Sequence, residues 1–208
     1  MRVTTLFVCA VMAAIGGCGG GDSTGPSNTQ TLNAITTTPS SIGTLQAGST
    51  TSIVVHGTDT DGNPIANLTG VSFLSQNENV AVLLAGGTVI GLSSGTTQVT
   101  VTVSFHGVTK VANVPVTVVG TLPTTNEITG STSSFTWNPA IVAVARTGTV
   151  SFTFGSLNHS VLFATVTGAP ANVPTTTNAT VPRTFNTAGN FSFECGVHPG
   201  MTGMVIVR

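Results

Sequence analysis

The sequence predicts an all-β protein built as two β-sandwiches in series. Three observations carry that expectation. Charged side chains are scarce, with five Lys and Arg and six Asp and Glu among 208 residues, while Thr, Val, Ser and Gly dominate; β-branched residues suit a pleated, half-buried surface. Short runs that alternate apolar and polar residues recur along the chain, punctuated by Gly, Pro, Asn and Asp. No long stretch carries the apolar period of an amphipathic helix. The formal net charge of -1 leaves no basic face for nucleic acid. Tyrosine is absent and Trp137 is the single tryptophan, which argues against an aromatic platform for stacking bases or sugars.

The N-terminus, "MRVTTLFVCAVMAAIGGCGGGDSTGP", reads as a targeting segment. Arg2 supplies the positive start, and Leu6 to Ile15 form an apolar run too short to span a membrane as a helix. The run ends at Ile15-Gly16-Gly17-Cys18, which resembles the lipobox of bacterial lipoproteins. That resemblance implies removal of residues 1–17 as a signal peptide and lipidation of Cys18, the first mature residue. The alternative is an ordinary cleaved signal with Cys18 incidental. Several acyl chains on one residue satisfy the two-anchor requirement for stable membrane attachment. Residues 18–30 then form the lipidated N-terminus and a flexible tether, with a reach of at most about 40 Å. The expected location is the cell envelope, lipid-anchored and facing the periplasm or the cell surface. Gly19 stands where an aspartate favours inner-membrane retention in some bacteria, which leans towards the outer membrane of a Gram-negative cell.

With Cys9 in the removed segment and Cys18 carrying lipid, Cys195 is left as a lone thiol in an oxidising compartment. It has no partner for an intrachain disulfide, so something else must protect it.

Residues 31–119 form the first expected sandwich. Its strand-like runs are "TSIVVHG", "GVSFLSQ", "VAVLLAG", "TQVTVTVSF" and "KVANVPVTVV", with turn chemistry at Asp61-Gly62-Asn63-Pro64, Gly86-Gly87 and Ser94-Gly95. The stretches "ITTTPSSIGTLQAGSTTSIVV", "DTDGNPI" and "NENVAVLLAGGTVIGLSSGTTQVTVTV" resemble the group 2 bacterial Ig-like domains. Phe73 stands where that family often has tryptophan. The resemblance implies a spacer or adhesion module and identifies no ligand. His56 and His106, each within or beside a strand, lie far apart without acidic neighbours and read as residues facing solvent or hydrogen-bonded rather than as metal ligands. Asp59 and Asp61 beside Gly62-Asn63-Pro64 read as a hairpin turn rather than a calcium site.

Residues 120–126, with Gly120 and Pro123, form the expected linker, and a second set of strands occupies residues 127–208. Its runs are "SFTWNPAIVAVA", "GTVSFTFG", "HSVLFATV", "ATVPRTFN", "GNFSFEC" and "GMVIVR". Here lies the segment "ECGVHPGM", with Cys195, His198 and Met201 on one loop. A mononuclear copper electron-transfer site uses two imidazoles and a thiolate in a rough plane, plus a weak axial thioether. One loop offers three of those donors, and His159 in "SLNHSVLF" is the only other histidine in this half. Taken singly, each has a plain reading: a buried inert or intermolecularly paired thiol for Cys195, a core histidine for His159, packing for Met201. Zinc is the alternative metal, for which a methionine thioether is a poor fourth ligand.

The stretches "GTVSFTFGSLNHSVLF" and "AGNFSFECGVHPGMTGMVIV" resemble the cupredoxins, most nearly the plastocyanin and amicyanin group. The resemblance implies a Greek-key sandwich holding one type 1 (blue) copper. His159, Cys195 and His198 become equatorial ligands and Met201 the axial one. The short Cys-x-x-His-x-x-Met loop is the amicyanin form. In this family an asparagine commonly follows the first histidine and ties the two ligand loops together; the shorter Ser160 leaves open whether that tie is made. Met204, at the start of the closing strand, reads as packing, and Trp137 reads as core. Alternation turns Glu194 away from the metal. His159 is the expected buried ligand, its second ring nitrogen fixed by a hydrogen bond. His198 is the expected exposed ligand, within a small apolar patch where a redox partner protein docks.

Enzymatic readings find little support. No paired catalytic carboxylates stand out, and a Cys-His hydrolase has no use for Met201. The histidines are too few for a trinuclear copper cluster, and one cysteine cannot build a binuclear centre. The expected function is therefore that of a membrane-anchored carrier of single electrons, with no small-molecule substrate. Copper buffering without a redox partner, or adhesion with a structural second domain, are the alternatives.

Overall fold

The computed structural model describes residues 30–208; the expected targeting segment, Cys18 and the expected tether as far as Thr29 lie outside the described residues. All but one of the described elements are strands, the exception being a single 3-10 turn at Ala85–Gly87. Among the described residues no helix is long and apolar enough to cross a membrane.

The first half contains β1 (Leu32–Thr38), β2 (Ile42–Gln46), β3 (Thr50–Ser52), β4 (Val54–Asp59), β5 (Val71–Ser75), β6 (Ala81–Leu84), β7 (Thr88–Gly91), β8 (Gly95–Phe105) and β9 (Val108–Val119). A four-stranded sheet of order β2-β9-β8-β5 faces the shorter β3-β7-β6 and β1-β4 sheets. In β8, Val99, Val101, Val103 and Phe105 point inward and alternate with Thr100, Thr102 and Ser104, as the period-two pattern requires. Ile53, Val89, Val99, Val101, Val114 and Val116 close the main core. The run "TSIVVHG" is interrupted at the buried Ile53, and "VAVLLAG" leaves its strand at the 3-10 turn.

The Asp59–Asn63 segment is a turn, as expected. The buried Asp59 carboxylate accepts the main-chain N–H groups of Asp61 (3.0 Å) and Asn63 (2.8 Å). His56 and His106 are exposed, and among the described residues neither belongs to a cluster of three candidate ligands.

The second half contains β10 (Thr125–Gly130), β11 (Trp137–Asn138), β12 (Ile141–Val144), β13 (Gly148–Phe154), β14 (His159–Phe163), β15 (Val173–Thr176), β16 (Ala179–Phe185), β17 (Gly189–Glu194) and β18 (Thr202–Val207). Two sheets result, β11-β10-β13-β16 and β12-β18-β17-β14-β15, with β10 parallel to β13 and β12 parallel to β18. Between them lie Phe152, Phe154, Phe163, Phe185, Phe191 and Phe193, with Trp137. The run "SFTWNPAIVAVA" does not form one strand. It divides after Asn138 into β11 and β12, which belong to different sheets, because Pro139 has no N–H to continue the ladder.

A further apolar cluster joins the two halves. Ile90 and Leu92 from the first meet Ala143 and Ile206 from the second, with Leu122, Ile141 and Met204 packed at its margin. Met204 thus packs as expected, but at the contact between the sandwiches.

Candidate metal centre

The site lies at one end of the second sandwich and follows from strand register. Along β17, Phe191, Phe193 and then Cys195 take the inward positions, at 1%, 3% and 4% exposure, while Glu194 points to solvent. β14 starts at His159, which is fully buried. After Cys195 the chain folds into a tight loop. Cys195 N–H donates to the Met201 carbonyl (2.9 Å), Met201 N–H to the His198 carbonyl (3.2 Å) and His198 N–H to the Cys195 carbonyl (3.4 Å). Gly200 turns the loop at φ 83, a left-handed conformation that glycine adopts at little cost.

That loop carries His198 over Cys195 and against His159. The Cys195 Sγ lies 3.7 Å from His159 Nδ1 and 3.6 Å from His198 Nδ1, and the two Nδ1 atoms are 3.2 Å apart. The point equidistant from these three atoms is about 2.0 Å from each. Metal–imidazole bonds measure about 2.0–2.1 Å and metal–thiolate bonds about 2.3 Å, so the triangle has the dimensions of a metal plane. Met201, on the same loop, is buried at 2% exposure in the same core cluster as Cys195.

The protonation state of His159 follows from its surroundings. Its Nε2 lies 3.2 Å from the Ser131 carbonyl oxygen, which can only accept, so Nε2 carries the proton and the Nδ1 lone pair faces the thiolate position. Burial lowers the His159 pKa; the Ser131 carbonyl opposes this and the neighbouring His198 adds to it, for a net lowering. A neutral imidazole is the ligating form.

Ser160 makes the tie that its length left open. Its hydroxyl accepts the Gly196 N–H at 2.8 Å, and its own N–H points at Cys195 Sγ at 3.5 Å. The register of β14 against β17 brings the two loops close enough for serine to reach.

Several contributors carried no clear signal in the sequence. Gly130 passes so close to His159 that a Cβ there would stand 2.9 Å from the ring carbon Cδ2. Trp137 is core, as expected, but its indole N–H also donates to the Met201 carbonyl at 3.2 Å, and its ring centroid is 5.6 Å from that of His159. Phe135, 51% exposed, sets its ring 4.4 Å from the His198 ring. The one available hint was a phenylalanine amid the hydroxyl-rich "STSSFTW".

No family model matches the chain, and no curated protein matches it. Among solved structures, a mutant plastocyanin of fern overlaps 39% of this chain and 99% of its own, at 21% identity and a TM-score of 0.36. The reduced Cu(I) form at pH 4 of an amicyanin variant overlaps 40% of this chain and 82% of its own, at 25% identity and 0.36. A purple cupredoxin from Nitrosopumilus maritimus overlaps 40% of this chain and 99% of its own, at 22% identity and 0.35. At these scores the overlaps carry no functional argument. The donor set does: two imidazoles and a thiolate at metal-plane distances, with a thioether on the same loop, make His159, Cys195 and His198 a candidate copper site.

Proposed function

We propose that this chain is a membrane-anchored mononuclear copper protein that carries single electrons between redox partner proteins. The observation behind the reading is the triangle of Cys195 Sγ, His159 Nδ1 and His198 Nδ1, sized for one metal ion. In this reading those three atoms, together with the Met201 thioether, would hold the metal. Bound copper supplies reversible one-electron chemistry, and the mixed ligand set suits both of its oxidation states.

The chain's own residues supply rigidity. His159 is held by the Ser131 carbonyl, Cys195 by the Ser160 N–H, and the ligand loop by the Ser160 hydroxyl and the Trp137 indole. His159 and Cys195 are held by hydrogen bonds from outside their own segments, and the loop that carries His198 and Met201 is tied to the sandwich through its main chain, so the donor set would need little movement on a change of metal charge. His198 is the half-buried ligand, with exposed Val197 and Phe135 close by. A weakly charged, apolar rim suits a small and short-lived contact with a partner protein. Membrane attachment through Cys18, an envelope location and a spacer role for the Ig-like half rest on the sequence motifs alone.

The test is an electrochemical titration of the copper-loaded full chain. A single reversible one-electron wave, lost in Cys195→Ser, supports the carrier reading. Copper bound without a reversible wave favours storage and overturns it.

A further inference from the structure

The loop joining β10 to β11 holds an aromatic ring in an unusual setting. Phe135 has φ 48, in the left-handed region that bulky side chains avoid, and its ring is half exposed. Core burial therefore does little to offset the strain. The loop is instead fixed by its own polar groups. Ser131 N–H donates to the Thr136 carbonyl (2.9 Å), and Ser131 Oγ accepts the N–H groups of Ser133 (3.3 Å) and Ser134 (3.2 Å). A hydroxyl chain runs from Ser131 to Ser134 (2.9 Å) and on to Thr136 (2.9 Å). The strained residue's one aromatic contact among the described residues is with His198, over which its ring lies at a centroid distance of 4.4 Å and an interplanar angle of 32°. The same loop's Ser131 carbonyl fixes His159.

We propose that Phe135 is a positioning residue that holds the His198 imidazole in its ligating orientation before any metal arrives. The Ser131–Thr136 loop thereby braces both histidines, one through a carbonyl and the other through a phenyl face. His198 needs such a brace more than His159 does, because it sits on a loop at the surface while His159 is locked in the core. The stabilisation typical of a tilted aromatic pair corresponds to roughly a 2- to 10-fold preference for the held orientation of its partner ring.

The proposal rests on the copper reading only where metal release is measured; ordering of the ring is a property of the metal-free chain. The experiment compares the full-length protein with Phe135→Gly, which removes the ring and relieves the left-handed strain, and with Phe135→Trp, which restores an aromatic face. Carbon relaxation dispersion at the His198 ring is recorded without metal, and copper(II) release to excess EDTA is timed after loading. The expected result is that Phe135→Gly melts no lower than wild type, yet shows exchange-broadened His198 ring signals and about 2- to 10-fold faster release, both reversed by Phe135→Trp. Unchanged His198 line widths in Phe135→Gly overturn the proposal. So does a lowered melting temperature that Phe135→Trp fails to restore, which marks a general structural role. If wild type takes up no copper, the copper reading fails while the ring measurement still decides this one.

Discussion

Ser160→Ala removes one oxygen and leaves almost everything else at the site in place. The serine is 4% exposed, and its hydroxyl accepts the Gly196 N–H at 2.8 Å. Its main-chain N–H still points at Cys195 Sγ in the variant, because alanine keeps that group. The substitution therefore isolates the tie between the two ligand loops, a neutral hydrogen bond worth about 0.5–1.5 kcal/mol. With a urea slope of about 1–3 kcal/mol per molar, a loss of about 1 kcal/mol lowers the unfolding midpoint by roughly 0.3–1 M. Trp137, the only tryptophan, lies in the core of the second sandwich, so its emission reports unfolding of the half that contains the site. The assay is urea unfolding of the metal-free full chain followed by that emission, with Ser192→Ala, an exposed serine on β17, as the control. The Ser160→Ala midpoint should fall while the control's does not. Coincident midpoints for wild type and Ser160→Ala would show that the loops hold together without the hydroxyl.

Three other perturbations have expected outcomes. In Gly130→Ala the new Cβ stands 2.9 Å from His159 Cδ2 and 3.2 Å from Nε2, so something must shift, and the expected shift displaces the ring from the Ser131 carbonyl; metal affinity measured by chelator competition should drop about 10- to 100-fold, and an unchanged affinity counts against that carbonyl as the orienting partner. At Asp59, burial acts to raise the carboxyl pKa, but hydrogen bonds from Asn63, Asp61 and Gln30 outweigh it and hold the value below 3.8. A depressed carboxyl pKa stabilises the fold above the unfolded value of 3.8 and stops doing so as pH falls through the lower folded value. The stability gap between wild type and Asp59→Asn should therefore narrow in acid, and thermal melts showing the same gap at neutral and strongly acid pH contradict it. Ile206→Ala hollows the cluster between the sandwiches, where the side chain is 1% exposed; a truncation of this kind costs about 2–5 kcal/mol and should split the calorimetric transition in two, whereas one unshifted peak refutes a coupling through this cluster.

The strands were legible wherever one face is buried and one is wet. Gly148–Phe154 alternates throughout, and along Gly189–Glu194 the same alternation carries Phe191, Phe193 and Cys195 into the core. The three candidate metal donors were legible because each is a rare residue type in this composition, and they converge as their order and spacing suggested. The Asp59 turn was legible from its own residues. What the sequence hid depends on contacts between segments distant along the chain. Ser160 reaches Gly196 only because of the β14–β17 register, and Phe135 meets His198 only because β11 lies beside the ligand loop. Gly130 has no motif, since its role is the space it leaves for His159. The Ile90–Ile206 cluster is likewise a product of how the sheets stack. The likeness of the first half to bacterial Ig-like domains rests on its motifs, and the signal and lipobox reading falls on residues outside those described.

The central claim is that Cys195, His159 and His198 hold one copper ion through a thiolate bond, and a visible absorption spectrum tests it most directly. The full chain is incubated with one equivalent of Cu(II) beside a Cys195→Ser variant, which keeps every histidine. A strong thiolate-to-copper band in the visible, bleached by a mild reductant and absent from the variant, is the predicted result. A colourless protein, or a band that survives Cys195→Ser, contradicts the account.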